Sequence, residues 1–155
     1  MTRAPADEAR GFKTEAGTQH SPRGSGRVLD RWRLLGVAFV FIWFFLGGIA
    51  HFASTDAEMR IVPPYVPWPR AVVLVSGVFE LLGAIGLLWH RSRRAAGLGL
   101  FLLTIAVTPA HIYMLQQPEL FDVPYWALIA RLPVQAGLLA LILWSTAPGN
   151  RRTEA

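Results

Sequence analysis

The sequence predicts an all-α integral membrane protein, a four-transmembrane-helix bundle with both termini cytoplasmic, and three observations carry that prediction. Four apolar runs, at about 34–52, 71–89, 95–115 and 125–146, each have the length that crosses a bilayer as a helix. The basic residues are unevenly placed. Of 15 lysines and arginines, seven precede Leu34, three are Arg91, Arg93 and Arg94, and two are Arg151 and Arg152. The two connections between those segments hold only Arg60 and Arg70 against Asp56, Glu58, Glu119 and Asp122, so the positive-inside rule puts the basic segments in the cytoplasm. Tryptophan agrees independently. Trp32, Trp89 and Trp144 fall at the inner boundaries of this map and Trp68 and Trp126 at the outer ones, as an interfacial belt requires, with only Trp43 in mid-span.

Composition narrows the class further. A chain of 155 residues forms one domain, and 53% hydrophobic residues with a mean hydropathy of +0.37 is too apolar for a soluble domain of that size. There is no cysteine, which excludes disulfides, thiolate metal sites and dithiol exchange. The net charge of +5 follows the topology pattern, so it reads as a contact with anionic lipid and not with nucleic acid.

Residues 1–27 are rich in Gly, Ser, Thr, Pro and charge and are expected to form a disordered, uncleaved cytoplasmic tail. The first span, 34–52, runs outward, with Gly47 and Gly48 permitting close helix approach and His51 at its outer end. Thr55 and Glu58 have capping-box spacing, which predicts a short helix on the outer surface. The prolines of PPYVPWP, residues 63–69, predict an extended, stiff path, with Pro69 in the first turn of the next helix. The second span, 71–89, returns to a tight turn at HRSRR. The third, 95–115, carries Pro109, which frees the carbonyl of Ile105 and predicts a kink. The fourth, 125–146, carries Arg131, Pro133 and Gln135, and 147–155 forms a cytoplasmic tail.

Charge inside the spans defines the candidate site. Glu80 lies near the middle of its run, and an intramembrane carboxylate is costly unless it faces a partner, water or the bundle interior. At about 1.5 Å per residue, Glu80 lies roughly 15 Å from the outer end of its helix, Arg131 about 9 Å and His111 about 6 Å, with His51 near the boundary. The expected cluster is His51, Glu80, His111, Arg131 and Gln135, organised around a Glu80–Arg131 ion pair. Three roles fit it: a pair that sets helix register, a pocket for a small ligand, or bis-histidine haem ligation, for which two histidines at helix ends are the whole argument.

The succession GGIAHF (47–52), IVPPYVPWP (61–69), SGVFELLGAIGLL (76–88), TPAHIYM (108–114) and RLPVQ (131–135) resembles the DoxX-like family of small bacterial inner-membrane proteins over about 34–146. The order of the motifs carries the resemblance, and no single one does. The resemblance implies a four-helix membrane bundle in the bacterial inner membrane and an accessory role in a quinone-linked membrane redox system, beside other redox subunits. It also implies carry-over of His51, Glu80, His111, Arg131 and Gln135, with His111 standing where the family pattern has asparagine. In that role a histidine donates to a quinone oxygen, Glu80 carries the proton and Arg131 holds Glu80 ionised. A non-enzymatic scaffold that binds a partner through the Pro-rich connection or the basic tail is the alternative. A small-solute transporter is disfavoured, because the charge bias sets one orientation and no inverted repeat is visible.

Overall fold

The computed structural model describes residues 24–147. Its helices are α1 (Gly24–Ala53), α2 (Thr55–Arg60), α3 (Pro69–Leu88), α4 (Arg93–Ala106), α5 (Thr108–Gln116) and α6 (Tyr125–Thr146), with a 3-10 turn at Pro118–Leu120. Four stretches are long and apolar enough to cross a membrane: Asp30–Ala53, Pro69–Leu88, Arg93–Gln116 and Tyr125–Thr146. The third is α4 and α5 in series, because the chain turns at Val107 ahead of Pro109. The expected kink is thus a one-residue interruption at Val107 between two helical segments. Residues 24–27, expected in the tail, belong to α1, and the rest of both expected tails, apart from Ala147, lies outside the described residues.

The long helices form a ring in chain order. α1 packs on α3, α3 on α4, α4 on α6, and α6 closes back on α1. The pairs α1/α4 and α3/α6 therefore lie across diagonals. One end of the ring carries the loops with α2 and the 3-10 turn; the other carries the turn from Trp89 to Ser92 and the start of α1.

Packing follows the logic of a bundle in lipid, where small residues let backbones approach and large apolar side chains face outward. Gly48 and Gly77 meet at the α1–α3 seam: a methyl at Gly48 would lie 2.8 Å from Leu81 Cγ and 3.1 Å from the Gly77 carbonyl oxygen. Leu46, Phe79, Leu82 and Leu102, by contrast, all point outward. The apolar core, built on Val40, Phe44, Ala84, Leu87, Leu100 and Ile142, occupies the half of the ring away from α2. His51, His111 and Gln135 fall in the half toward α2, and Glu80, just past the midpoint of α3, reaches His51 with its carboxylate.

Two local expectations need correcting. Thr55 does not cap α2; its hydroxyl donates to the His51 carbonyl (2.7 Å), and Ser54 stands at the N-cap without a side-chain bond. A threonine bonded back into the preceding turn competes with capping, and α1 ends close enough to win. The Pro-rich connection is also not extended. Its Val66 amide closes a turn on the Pro63 carbonyl (3.0 Å), and Trp68 adopts the left-handed region (φ 52°) just before α3. Pro69 does sit in the first turn of α3, as expected.

At the opposite end the basic turn has a structural task beside its charge. The Ser92 hydroxyl donates to the Gly86 carbonyl (2.8 Å) and Arg93 Nε to the Leu87 carbonyl (3.0 Å), so both satisfy carbonyls that the end of α3 leaves without helical partners.

Candidate intramembrane polar site

The five expected residues divide into three groups. The first lies at the α1–α3 seam. His51 Nε2 and Glu80 Oε1 are 3.6 Å apart, with the side chains 16% and 13% exposed. Gly47, one turn before His51, makes room for the carboxylate: a methyl there would lie 2.8 Å from Glu80 Oε2. The pair is longer than a hydrogen bond. His51 Nδ1 is buried and, among the described residues, has no hydrogen-bond partner.

The second group joins α4, α5 and α6. Gln135 Nε2 donates to the Thr104 carbonyl (2.8 Å) and to Thr108 Oγ1 (2.7 Å), while its Oε1 faces His111 Nδ1 at 2.6 Å. The Thr108 hydroxyl donates in turn to the Thr104 carbonyl (3.2 Å). Chemistry assigns every proton here. A carbonyl can only accept, so the Gln135 nitrogen must face Thr104, its oxygen must face His111, and His111 carries its proton on Nδ1. Both donors and the acceptor of the Gln135 side chain are occupied. The network closes over the α4–α5 break, where Pro109 has removed a backbone donor.

Arg131 forms the third group alone. It does not pair with Glu80, because α3 and α6 lie across a diagonal of the ring. Arg131 Nη1 instead donates to Met114 Sδ (3.3 Å), and the side chain turns into a cleft of about 500 Å³ at the α2 end. Glu58 and Arg60 of α2 and Glu119 and Asp122 of the α5–α6 connection also line that cleft. Sequence reasoning missed these four as site residues. The signal was present as acidic and basic residues in two connections, but it was absorbed into the topology argument.

This separation has a testable consequence. Arg131→Leu and Glu80→Leu should act independently, with a coupling in a double-mutant cycle of under about 0.5 kcal/mol, as expected for sites with no shared partner. Thermal unfolding of the four proteins in detergent measures it. A coupling several times larger would mean that the two charges do interact.

The fold and the site define a class, an all-helical bundle of four membrane-length helices with polar groups gathered in one half. The chain belongs to the family described as a domain of unknown function (DUF8561), whose model matches residues 40–147. That match begins within α1 and ends just after α6, so it takes in all the polar groups above. No curated protein matches the chain. No solved structure matches it.

Proposed function

We propose that this chain is a multi-pass protein of the bacterial inner membrane, DoxX-like in character, with both termini in the cytoplasm. In this reading it serves as an accessory subunit of a quinone-linked membrane redox system. Its working group is the His51–Glu80 pair. The observation that carries the assignment is the contrast between the two polar clusters: the Gln135 side chain uses both of its N–H donors and accepts from His111, whereas Glu80 meets His51 only at 3.6 Å and, among the described residues, His51 Nδ1 has no partner. Polar groups at membrane depth are costly when unsatisfied, so an underbonded acid–base pair is one kept for exchange.

A bound quinone supplies two-electron carriage. The chain's own groups hold and pass a proton between His51 Nε2 and Glu80 Oε1, with Gly47 leaving the space that the carboxylate occupies. The charge bias supports the orientation, and the ordered motifs support the kinship.

The test is to extract quinone from the protein purified in mild detergent and to compare Glu80→Gln and His51→Gln with His111→Asn. Both α1–α3 variants should lose bound quinone and the proton-coupled turnover of the partner enzyme, while His111→Asn keeps both. Unchanged quinone content and turnover in Glu80→Gln would overturn the assignment. Reporter fusions at each loop check the orientation.

A scaffold role is the second reading, and one observation favours it. Two cavities among the described residues, the cleft at the α2 end and an apolar groove of about 220 Å³ between α1 and α6 beside Trp43, are both lined without His51 or Glu80. Protein without quinone but with a co-purifying membrane partner would select this reading.

A further inference from the structure

The cleft at the α2 end is not part of the pair assigned above, and its charges are arranged differently. Arg131 projects into it from the seventh residue of α6. A guanidinium carries five N–H donors in a fixed fork suited to phosphate and carboxylate oxygens. Among the described residues its hydrogen-bond partner is a thioether, Met114 Sδ at 3.3 Å, which is a weak acceptor. Three carboxylates, of Glu58, Glu119 and Asp122, line the same space with a second guanidinium, Arg60. Among the described residues no salt bridge joins either arginine to any of these acids. Opposite charges that share a concave site of about 500 Å³ without pairing leave room between them for a group carrying both signs.

The position of the cleft selects the kind of group. It lies where α5 ends and α6 begins, at the level of a lipid headgroup if the long helices cross a bilayer, and Leu120 and Phe121 contribute apolar surface beside the charges. Tyr65, Trp68, Tyr125 and Trp126 stand exposed at the same end of the bundle, the placement of an interfacial aromatic belt.

The geometry points to a binding site for a zwitterionic amine–phosphate headgroup, of the phosphoethanolamine type, supplied by a membrane lipid. The phosphate takes the Arg131 fork, with Arg60 as a second guanidinium in the same cleft. The ammonium takes the carboxylates of Glu119 and Asp122, with Glu58 as a third in the same lining. Charge-assisted bonds of this kind are roughly twice as strong as neutral ones, which offsets the desolvation of both charges. The site is independent of quinone and rests only on the membrane placement of the bundle.

Native mass spectrometry of the full chain in detergent tests this with equimolar phosphatidylethanolamine and phosphatidylglycerol of matched acyl chains. The ethanolamine lipid should be retained about tenfold more tightly, a difference of roughly 1.4 kcal/mol. Arg131→Gln should lose both lipids, and Arg131→Lys should recover part of the binding. Glu119→Gln with Asp122→Asn, both on exposed residues that leave the bundle intact, should abolish the preference while phosphatidylglycerol stays bound. Equal retention of the two lipids by the unmodified protein, or retention unchanged in both the Arg131→Gln and the double carboxylate variants, overturns the site. Water-soluble phosphoethanolamine binding as tightly as the lipid would keep the headgroup chemistry and overturn the lipid as its source.

Discussion

Gln135→Leu should lower the stability of the bundle by about 2–4 kcal/mol, the sum of three lost hydrogen bonds at membrane-protein magnitudes and of the buried groups left without partners. Leucine is apolar and of comparable size, though branched at Cγ, and the position is 7% exposed, so the larger part of the loss is polar in origin. The consequence extends along the third span. Gln135 holds the Thr104 carbonyl and the Thr108 hydroxyl from across the seam, and these bracket the turn at Val107 where α4 gives way to α5. Its removal also frees His111 Nδ1. Hydrogen exchange should therefore quicken at residues 104–112 in addition to a lower midpoint of thermal unfolding in detergent. A midpoint within a degree of the parent would show that the network is dispensable. Gln135→Glu is the informative companion, since a carboxylate cannot donate to the Thr104 carbonyl and should recover little.

Gly97→Ala should cost about 1–3 kcal/mol, the range for forcing an extra methyl into a packed interior. The new carbon would fall 2.6 Å from Thr146 Oγ1, 2.7 Å from Cγ2 and 2.8 Å from Cβ. No rotamer of Thr146 escapes this, because Cβ itself is among the atoms struck, and the Thr146 hydroxyl is already bonded to the Ile142 carbonyl (2.7 Å). Relief must come from moving α4 away from α6. The double variant Gly97→Ala/Thr146→Gly should recover most of the loss by removing the obstructing carbon. Gly99→Ala, two residues along the same helix with nothing within 4 Å of its added methyl, is the control and should be neutral to slightly stabilising. If Gly99→Ala were as damaging as Gly97→Ala, the α4–α6 approach would not be the cause.

Both effects arise at seams, and seams are where reading along the chain meets its limit. The spacing of Gln135 four residues beyond Arg131, and of Thr104 and Thr108 seven and three before His111, marks polar stripes without knowing which stripes face each other. Glu80 shows the cost of that ignorance. As the central carboxylate it invited pairing with the one arginine inside a span. The ring places the helices bearing them on a diagonal, and Glu80 meets His51 across the adjacent seam instead. The Thr55–Glu58 spacing misled for a similar reason, because the competing acceptor, the His51 carbonyl, belongs to the helix before. The cleft was beyond reach of any motif, since its lining comes from α2, the end of α5, the connection after it and α6, four segments that only the fold brings together.

By itself the sequence determined the number of membrane-length helices, their bounds to within a few residues away from the start of α1, the interruption at Pro109 and the gathering of polar residues in one half of the bundle. These depend on hydropathy summed over about 20 residues, on the missing amide of proline and on the fixed rise of a helix, all properties local to the chain. Only the tertiary structure decided which polar groups meet, which of them are saturated and where a cleft opens. Those follow from the order of helices around the ring and from the glycines that set how closely each pair approaches, and distance between helices is not a local property.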